Sequence, residues 1–394
     1  MTDIVLAAGA RTPFGDFGKS LRQVPLTDLA AHAAKASIQR SGLKADDIDH
    51  FVFGSTLFPD RDSLFGGRVI GIKAGLPEEM PALNVIRACG TGLQALISAS
   101  QQIKEGQSRI ALAGGAENYS RMPHVVTTAR YGTQRGPMTL EDQLDWAYRC
   151  PFSQEYMGET AENLADDYQY EREPMDDWGY MSQRRAAAAI KSGFLARQIA
   201  PIEVPDGKGR RLFAVDEFPR PDVTREKLQK LKPAFRDGGR VTAGSSSGVT
   251  DGAAFMIVAD RAQAEAKGLE GEALLRDWTA VGVPPRIMGA GPVPAIDKLL
   301  KRNDLEVSDI DYFEINEAFA VVNLHAEKQL GISRERTNLY GGGISIGHPP
   351  GATGGRMTIT AMHHLAASRG RYGVISMCLG GGQGMAMLIE NLKR

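Results

Sequence analysis

The chain has 394 residues, of which 42% are hydrophobic and 24% charged, and its formal net charge is −1 at pH 7. This length is sufficient for two or three domains with a large buried core, and the composition is ordinary for a soluble globular protein. Because the chain is nearly neutral, it has no overall attraction for nucleic acid or for an anionic membrane, and an anionic ligand would need a local basic patch.

The first residues predict a strand rather than a targeting segment. The apolar run at 4–8 lacks a preceding basic region and ends at Arg11, which argues against a signal peptide. No apolar run approaches the ~20 residues that span a bilayer. The three cysteines are sparse and lack metal-ligand spacing, which favours a reducing compartment. We therefore expect a cytoplasmic protein with no membrane span and no bound metal.

Two regular elements and a loop are predicted next. Residues 26–41 carry apolar side chains at helical spacing, and 51–54 is a short apolar strand. The stretch 60–75 is rich in glycine and contains basic residues, which is typical of a loop.

A cysteine then lies at a predicted strand-to-helix joint. A short apolar run, interpreted as a buried strand, leads to Cys89, with Gly90 and Gly92 allowing a sharp turn into a helix over 93–105 and a strand over 110–113. Such a βαβ unit indicates a parallel sheet covered by helices. A cysteine at a helix N-terminus can have a lowered pKa and act as a thiolate nucleophile. The alternative is a small buried cysteine that packs like a hydrophobic residue.

The segment from 118 to 240 differs from its surroundings and is predicted to be a large insertion. One helical pattern begins at Gly158 and another covers 183–191, and no strong series of strands is visible. Its later part is basic, which would suit a phosphate-bearing ligand or else form a solvated surface. The basic residues are Lys208, Arg210, Arg211, Arg220, Arg225, Lys227, Lys230, Lys232, Arg236 and Arg240.

The α/β alternation resumes after Thr242. A second glycine-rich joint, 341–355, contains His348, and Cys378 follows near the end of the chain. Strands are predicted over 253–258, 309–315, 373–377 and 384–389, and helices over 316–330 and 356–367.

The order strand, glycine-rich joint, helix, strand thus occurs twice, around Cys89 and around His348. This order predicts two similar α/β halves with the two residues facing each other, although βα units are common enough for a chance match. The predicted boundaries are 1–117 for the first part of the N-terminal half, 118–240 for the insertion, 241–270 for the end of that half and 271–394 for the C-terminal half.

Four polar residues lie at loop ends beside glycines: Cys89, Asn316, His348 and Cys378. Ligands of open α/β sheets bind at such strand ends. His348 is the one histidine within a glycine-rich joint, so it is the candidate base for Cys89, and the other histidines are interpreted as surface or core residues. Cys378 is a candidate second acid or base.

These residues resemble the thiolase family, and the resemblance runs from end to end of the chain. The motifs that carry it are Arg11–Gly15, Cys89–Ala95, Ala113–Glu117 with Ser120 and Pro123, Met157–Gly158 with Thr160–Asn163, Thr242–Gly244 with Ser247–Gly248 and Asp251–Ala254, Met288–Gly289 with Gly291–Ala295, Asn316–Ala320, Gly347–Pro349, and Cys378 with Gly380–Gly384.

The resemblance implies an α/β thiolase-like fold of two βαβαβ-type halves, each with a mixed sheet between helices, plus a large loop insertion in the first half. It also implies an acyltransferase that cleaves 3-oxoacyl-CoA with CoA or runs the reverse condensation. Family members use CoA as a substrate without a permanently bound cofactor. The resemblance also implies a homodimer or a homotetramer.

The resemblance further assigns roles within the site. Cys89, activated by His348, would take the acyl group as a thioester, and Cys378 would protonate the acetyl-CoA enolate or abstract that proton in the condensing direction. Oxyanions would be held by His348 with a water on Asn316 at one position, and by the N–H groups of Cys89 and Gly380 at the other.

For CoA, the resemblance points to Ser247 beside the pantetheine arm and to Arg220 near the nucleotide. Further cavity positions implied by the resemblance are Met157, Met288, Ala318 and Phe319; for the methionines and Phe319, ordinary core packing is the alternative.

Several positions depart from the usual pattern of the family, namely Ile86, Tyr156, Ser245, Ser246 and Pro350. They bear on chain-length preference and on the choice between a degradative enzyme and a biosynthetic acetyl-CoA C-acetyltransferase that makes acetoacetyl-CoA. Lower-ranked alternatives are a decarboxylating condensing enzyme, a cysteine hydrolase of the Cys-His-Asn type and a non-catalytic partner with the same scaffold.

Overall fold

A computed structural model describes residues 2–132 and 135–393. The strands are β1 (Ile4–Arg11), β2 (Gly15–Asp16), β3 (His50–Gly54), β4 (Ala82–Val85), β5 (Ile110–Glu117), β6 (His124–Val125), β7 (Glu141–Asp142), β8 (Ile202–Asp206), β9 (Gly209–Phe213), β10 (Thr250–Asp260), β11 (Ala273–Gly282), β12 (Tyr312–Ile315), β13 (Tyr372–Leu379) and β14 (Gln383–Asn391). The helices are α1 (Leu26–Ser41), α2 (Arg61–Leu64), α3 (Gly66–Ala74), α4 (Thr91–Lys104), α5 (Gln143–Tyr148), α6 (Met157–Asp167), α7 (Arg172–Lys191), α8 (Arg225–Gln229), α9 (Arg261–Ala266), α10 (Pro292–Arg302), α11 (Ala320–Leu330), α12 (Gly343–Ile346) and α13 (Pro350–Ser368).

One continuous mixed sheet runs through the fold in the order β12, β13, β14, β11, β1, β10, β5, β3 and β4. In the first half, β1 pairs antiparallel with β10, β10 antiparallel with β5, and β5 parallel with β3. In the second half, β11 pairs antiparallel with β14, β14 antiparallel with β13, and β13 parallel with β12. The two halves therefore repeat one pairing scheme, and β1 and β11 join them.

The predicted α/β architecture of two similar halves with mixed sheets is confirmed. A wholly parallel sheet, which the βαβ unit alone would indicate, is wrong because the long strands β10 and β14 run antiparallel to their neighbours. The βαβ unit itself is present, since β4 and β5 both pair parallel with β3 and are connected by α4.

Two local predictions in the first half are also wrong. The stretch 60–75 contains α2 and α3 rather than a loop, and Asp60 caps α2 by accepting the Ser63 N–H. Its glycines serve close packing, because a Cβ at Gly66 would lie 2.5 Å from the Phe53 ring. The strand before Cys89 is not buried either, because β4 is the last strand of the sheet in the described residues and Leu83 is 36% exposed.

Two largely buried helices, α4 and α13, cross in close contact. A Cβ on Gly92 of α4 would lie 2.5 Å from the Gly351 carbonyl oxygen and 3.1 Å from the Gly354 nitrogen of α13. Only glycines allow the two backbones to approach so closely. Because Cys89 precedes α4 and His348 precedes α13, this crossing brings the two residues to the same place.

The segment between β5 and β10 packs onto the second half. Ala161 and Leu164 of α6 and Trp178 of α7 share one buried cluster with Val321 and Val322 of α11. The helices of the described residues are all too short or too polar to cross a membrane.

Candidate active site

Cys89 lies on a tight, strained turn between β4 and α4. Ala88, immediately before it, has a φ of +42°, a left-handed conformation that is costly for a residue with a Cβ. The Thr91 hydroxyl holds the turn, because it donates to the Ala88 carbonyl oxygen at 2.7 Å and accepts the Arg87 N–H at 2.8 Å. The next residue, Gly90, has no room for a side chain, because a Cβ there would lie 2.5 Å from the Met385 sulfur.

The pKa of Cys89 is raised, not lowered as the sequence suggests. Burial of the thiol in the protein is the largest cause, and the charge of Glu117 adds to it. The N–H groups of Gly380 and of Cys89 itself point at the sulfur and offset part of this effect. The lowering expected from a helix N-terminus does not dominate, because α4 begins only at Thr91 and desolvation of the thiol outweighs the effect of the two N–H groups. The resting residue is therefore a thiol.

His348 is a buried, neutral imidazole whose tautomer is set by its neighbours. Burial lowers its pKa to about 3, and the charge of Arg356 contributes. Thr353 donates its hydroxyl to the Pro349 carbonyl oxygen at 2.9 Å, so its Oγ1 accepts the Nδ1–H of His348 at 2.7 Å. Nε2 is left as an acceptor, and Asn316 donates its side-chain Nδ2–H to it at 3.3 Å. This nitrogen is thus able to take a proton.

Asn316 is fixed by the sheet and has an unused acceptor. Its backbone N–H donates to Ser376 of β13 at 2.9 Å, which extends the parallel β12–β13 pairing by one residue. Its side-chain Oδ1 is buried without a hydrogen-bond partner in the described residues. A buried unpaired amide oxygen is unusual and marks a place for a donor such as water or a ligand.

Cys378 lies near the end of β13 and is fully buried. Burial raises the pKa of its thiol, and the proximity of Cys89 raises it further. Two thiols that influence each other in this way cannot readily ionise together. Cys378 is consequently a protonated sulfur next to Cys89, able to donate a proton.

A cavity of about 610 Å³ opens onto Cys89 and is lined mostly by apolar side chains. Most of the residues predicted from the sequence for catalysis or CoA lie in its wall. These are Cys89, Met157, Ser247, Met288, Ala318, Phe319, His348 and Gly380. Asn316 and Cys378 lie behind the wall, buried at 1% and 0% exposure.

Three predicted pocket residues have both core and cavity contacts. Met288 is 2% exposed, and Phe319 packs edge-on against Phe235 with 5.8 Å between ring centroids. Met157 is the first residue of α6, and its sulfur would lie 3.4 Å from a Cβ added to Gly380. The two interpretations of these residues are therefore compatible, since each side chain is packed on one side and faces the cavity on the other.

Arg220 is placed apart from the other predicted residues, in a second cavity of about 700 Å³. Lys227 and Leu231 line the same cavity, and the Arg220 side chain is 57% exposed. The basic cluster does not form one patch, because much of it is used within the protein. Ion pairs hold Arg210 to Glu203, Arg225 to Asp177, and both Arg236 and Arg240 to Asp166.

The unusual residues noted in the sequence are close to the main cavity. Ile86, Tyr156, Ser246 and Pro350 line it, whereas Ser245 is buried beside it. Tyr156 is part of a polar cluster at the wall, where its hydroxyl donates to Asp145 at 2.8 Å and the Arg149 guanidinium lies 3.9 Å from its ring centroid.

Sequence reasoning gave no role to two residues that the structure places at the site. Thr353 orients His348, and Glu117 binds the first turn of α13 through the Gly351 N–H at 2.8 Å. The sequence pattern that could have identified Glu117 is a carboxylate at the end of a strand beside Gly114–Gly115. No pattern among the neighbours of Thr353 in the sequence indicates its role. The described part of the chain contains no group of His, Cys, Asp and Glu side chains suited to a metal ion.

Comparison with known proteins agrees with this arrangement. Sequence models of the thiolase N-terminal domain and the thiolase C-terminal domain match residues 4–262 and 269–391. Beta-ketothiolase BktB of Cupriavidus necator is 41% identical over 391 residues, which cover 99% of each chain. Human mitochondrial 3-ketoacyl-CoA thiolase superimposes with a TM-score of 0.97 at 38% identity over 99% of both chains. The structure of the same human enzyme in complex with CoA superimposes with a TM-score of 0.95.

Matches at this level over the whole chain go beyond shared architecture, because they include the segments that carry both cysteines, the asparagine and the histidine of the site. The chain therefore belongs to the thiolase family of acyltransferases.

Proposed function

We propose that this thiolase cleaves 3-oxoacyl-CoA with free CoA, giving acetyl-CoA and a shortened acyl-CoA, through an acyl-enzyme on Cys89. The observation that carries the proposal is the placement of Cys89 and His348 in the wall of one apolar cavity, with the buried thiol of Cys378 beside Cys89. A hydrolase needs one nucleophile and one base. Carbon–carbon cleavage also needs a second proton donor, and Cys378 supplies it.

In the first step, Nε2 of His348 takes the Cys89 proton while the sulfur attacks the 3-oxo carbon. The N–H groups of Cys89 and Gly380 hold the resulting oxyanion. The carbon–carbon bond then breaks, and Cys378 gives its proton to the departing acetyl-CoA enolate. The enolate oxygen is held by His348, now protonated, and by a water bound to the unpaired Oδ1 of Asn316.

In the second step, the proton of the incoming CoA thiol passes to the Cys378 thiolate. The CoA thiolate attacks the Cys89 thioester, and the protonated His348 returns its proton to the departing Cys89 sulfur. The enzyme is restored with a thiol at each cysteine and a neutral imidazole. This end state is the one that burial favours, since it raises the pKa of both thiols and lowers that of His348.

CoA is proposed to span both cavities, as substrate and not as a permanently bound group. Its pantetheine arm would pass Ser247 towards Cys89, and its nucleotide would lie in the second cavity beside Arg220 and Lys227. These cationic side chains suit the phosphates of CoA. The complex of the human mitochondrial enzyme with CoA supports a CoA site in this fold.

The apolar lining of the main cavity supports the degradative direction on acyl groups longer than acetoacetyl. The apolar residues that line this cavity together with Cys89 include Leu57, Ile86, Leu144 and Phe235. Thiolysis rates measured over a series of 3-oxoacyl-CoA chain lengths test this preference. Activity confined to acetoacetyl-CoA would favour the biosynthetic acetyl-CoA C-acetyltransferase instead.

The site assignment is tested with single cysteine variants. We expect Cys89→Ala to abolish thiolysis, and Cys378→Ala to abolish thiolysis while still forming an acyl-enzyme by transfer from an acyl-CoA, which needs no carbon–carbon cleavage. Cys150→Ser is the matched control, because Cys150 is also buried but is not part of the cavity wall. Normal thiolysis by either of the first two variants contradicts the mechanism.

We also propose a homodimer, or a homotetramer built from dimers, formed along β4. An unpaired sheet edge with exposed apolar residues favours pairing with another chain. Ile86 is 57% exposed beside β4, and the nearby Leu64 and Phe65 are 58% and 67% exposed. Light scattering tests this, with Leu83→Lys expected to shift the protein towards the monomer.

The remaining proposals concern location and domain organisation. Cys89, Cys150 and Cys378 are free thiols, which supports work in a reducing compartment such as the cytoplasm. We propose that 118–240 is an insertion over the CoA site within an N-terminal half that ends near 270, followed by a C-terminal half from 271. Limited proteolysis would cut first within the insertion if it is a separate layer.

A further inference from the structure

Glu117 is a buried carboxylate at the end of β5 that the proposed reaction does not use. It is 1% exposed. Its Oε1 accepts the N–H groups of Thr56 at 3.0 Å and Leu57 at 3.2 Å, and lies 2.9 Å from the Ser55 hydroxyl. Its Oε2 accepts the Gly351 N–H at 2.8 Å. A buried carboxylate is tolerated only when donors surround it in this way.

The donors come from two segments that both belong to the site. Thr56 and Leu57 follow β3 and line the main cavity. Gly351 is in the first turn of α13, and it is packed so closely that an added Cβ would lie 2.7 Å from the Gly54 carbonyl oxygen. Glu117 therefore connects the cavity wall of the first half to the start of the helix that follows His348.

That first turn is also what orients His348. Thr353, two residues after Gly351, accepts the Nδ1–H of His348 at 2.7 Å. Between His348 and Gly351 the chain consists of Pro349 and Pro350, whose rings fix φ and remove the freedom that would absorb a shift. A displacement of the Gly351 anchor is thus passed on to the imidazole.

We infer that Glu117 is a positioning residue for His348, acting through the first turn of α13. The inference rests on the proposed function of His348. A glutamine at this position cannot replace the carboxylate, because its NH2 group would face either the Gly351 N–H or the donors of the 55–57 segment. One side of the connection is then lost while the size of the side chain is kept.

The first test compares Glu117→Gln with a matched control. We expect Glu117→Gln to lower kcat for thiolysis by about 10- to 100-fold, as a misplacement of about 1 Å can do, with KM changed by less than about twofold. Glu272→Gln is the control. Burial raises the pKa of the Glu272 carboxyl, as it raises that of Glu117 to about 7. Glu272 likewise accepts a backbone N–H, that of Ala8 at 2.7 Å, but it is outside the site. Its kcat should stay at the wild-type value.

A double-mutant cycle distinguishes positioning from a general loss of structure. If Glu117 acts through His348, then Glu117→Gln added to His348→Ala changes the residual rate by less than about twofold. The same fold-loss in both backgrounds would overturn the inference. If Glu117→Gln does not fold, Glu117→Asp, which retracts the carboxylate, enters the same cycle under the same criterion. Failure of the proposed function would instead appear as full activity of Cys89→Ala.

Discussion

Replacing Thr353 by valine isolates the hydrogen bond that sets the tautomer of His348. Thr353 is fully buried, and its Oγ1 accepts the imidazole Nδ1–H at 2.7 Å. Valine keeps the shape but leaves this N–H without a partner, which costs about 1–3 kcal/mol. If the imidazole escapes this cost by rotating or by moving its proton to Nε2, the base is lost. The corresponding loss of kcat is about 5- to 150-fold.

Steady-state thiolysis measures the effect, and the same helix provides the control. Thr358 is also fully buried in α13, and its hydroxyl donates to the Gly354 carbonyl oxygen at 2.8 Å, as that of Thr353 donates to Pro349, but it is not hydrogen-bonded to His348. Thr358→Val therefore removes the same hydroxyl-to-helix hydrogen bond and should keep its turnover, and Thr353→Ser, which retains the hydroxyl, should keep most of the activity. Full turnover of Thr353→Val, or an equal loss in Thr358→Val, would show that the Thr353 hydroxyl does not set the tautomer of His348.

Three further predictions concern the thiol and the scaffold. Because burial raises the pKa of Cys89, its alkylation by iodoacetamide should accelerate continuously from about pH 6 to about pH 9; a plateau across this range would indicate a preformed thiolate. Gly92→Ala should lower the free energy of urea unfolding by about 1–3 kcal/mol through the helix crossing, whereas Gly282→Ala, facing open space, should change it by less than about 0.5 kcal/mol. Glu314→Gln should lower the free energy of unfolding by about 3–5 kcal/mol, because it leaves the buried Arg356 charge unpaired. The double variant with Arg356→Met should recover much of this loss, and equal stability of the single and the double variant would contradict the prediction.

The sequence was informative where local chemistry decides the structure. Helix α1 occupies the predicted residues 26–41, because most of the side chains that the helical spacing assigns to its apolar face are also buried in the structure. The glycine-rich joints around Cys89 and His348 were recognisable since close backbone approach demands glycine. The structure explains this demand through the contact of Gly92 with Gly351.

Features that depend on distant parts of the chain could not be predicted in this way. Glu117 and Gly351 are 234 positions apart, so their hydrogen bond has no local signature. The pKa of Cys89 depends on burial by both halves, which outweighs the helix start visible in the sequence. The glycines of α3 resembled a loop because their packing partners, such as Phe53 for Gly66 and Ala82 for Gly67, belong to other elements.

Trapping the covalent intermediate would show directly whether Cys89 carries the acyl group. The protein is mixed with a 3-oxoacyl-CoA in the absence of free CoA, quenched in acid, digested and analysed by mass spectrometry. We expect an acyl group on the peptide that carries Cys89 in the wild type and in the Cys150→Ser control. We expect the same in Cys378→Ala after acyl transfer from an acyl-CoA. An acyl group on Cys378, or wild-type turnover with no acyl group on Cys89, would contradict this expectation.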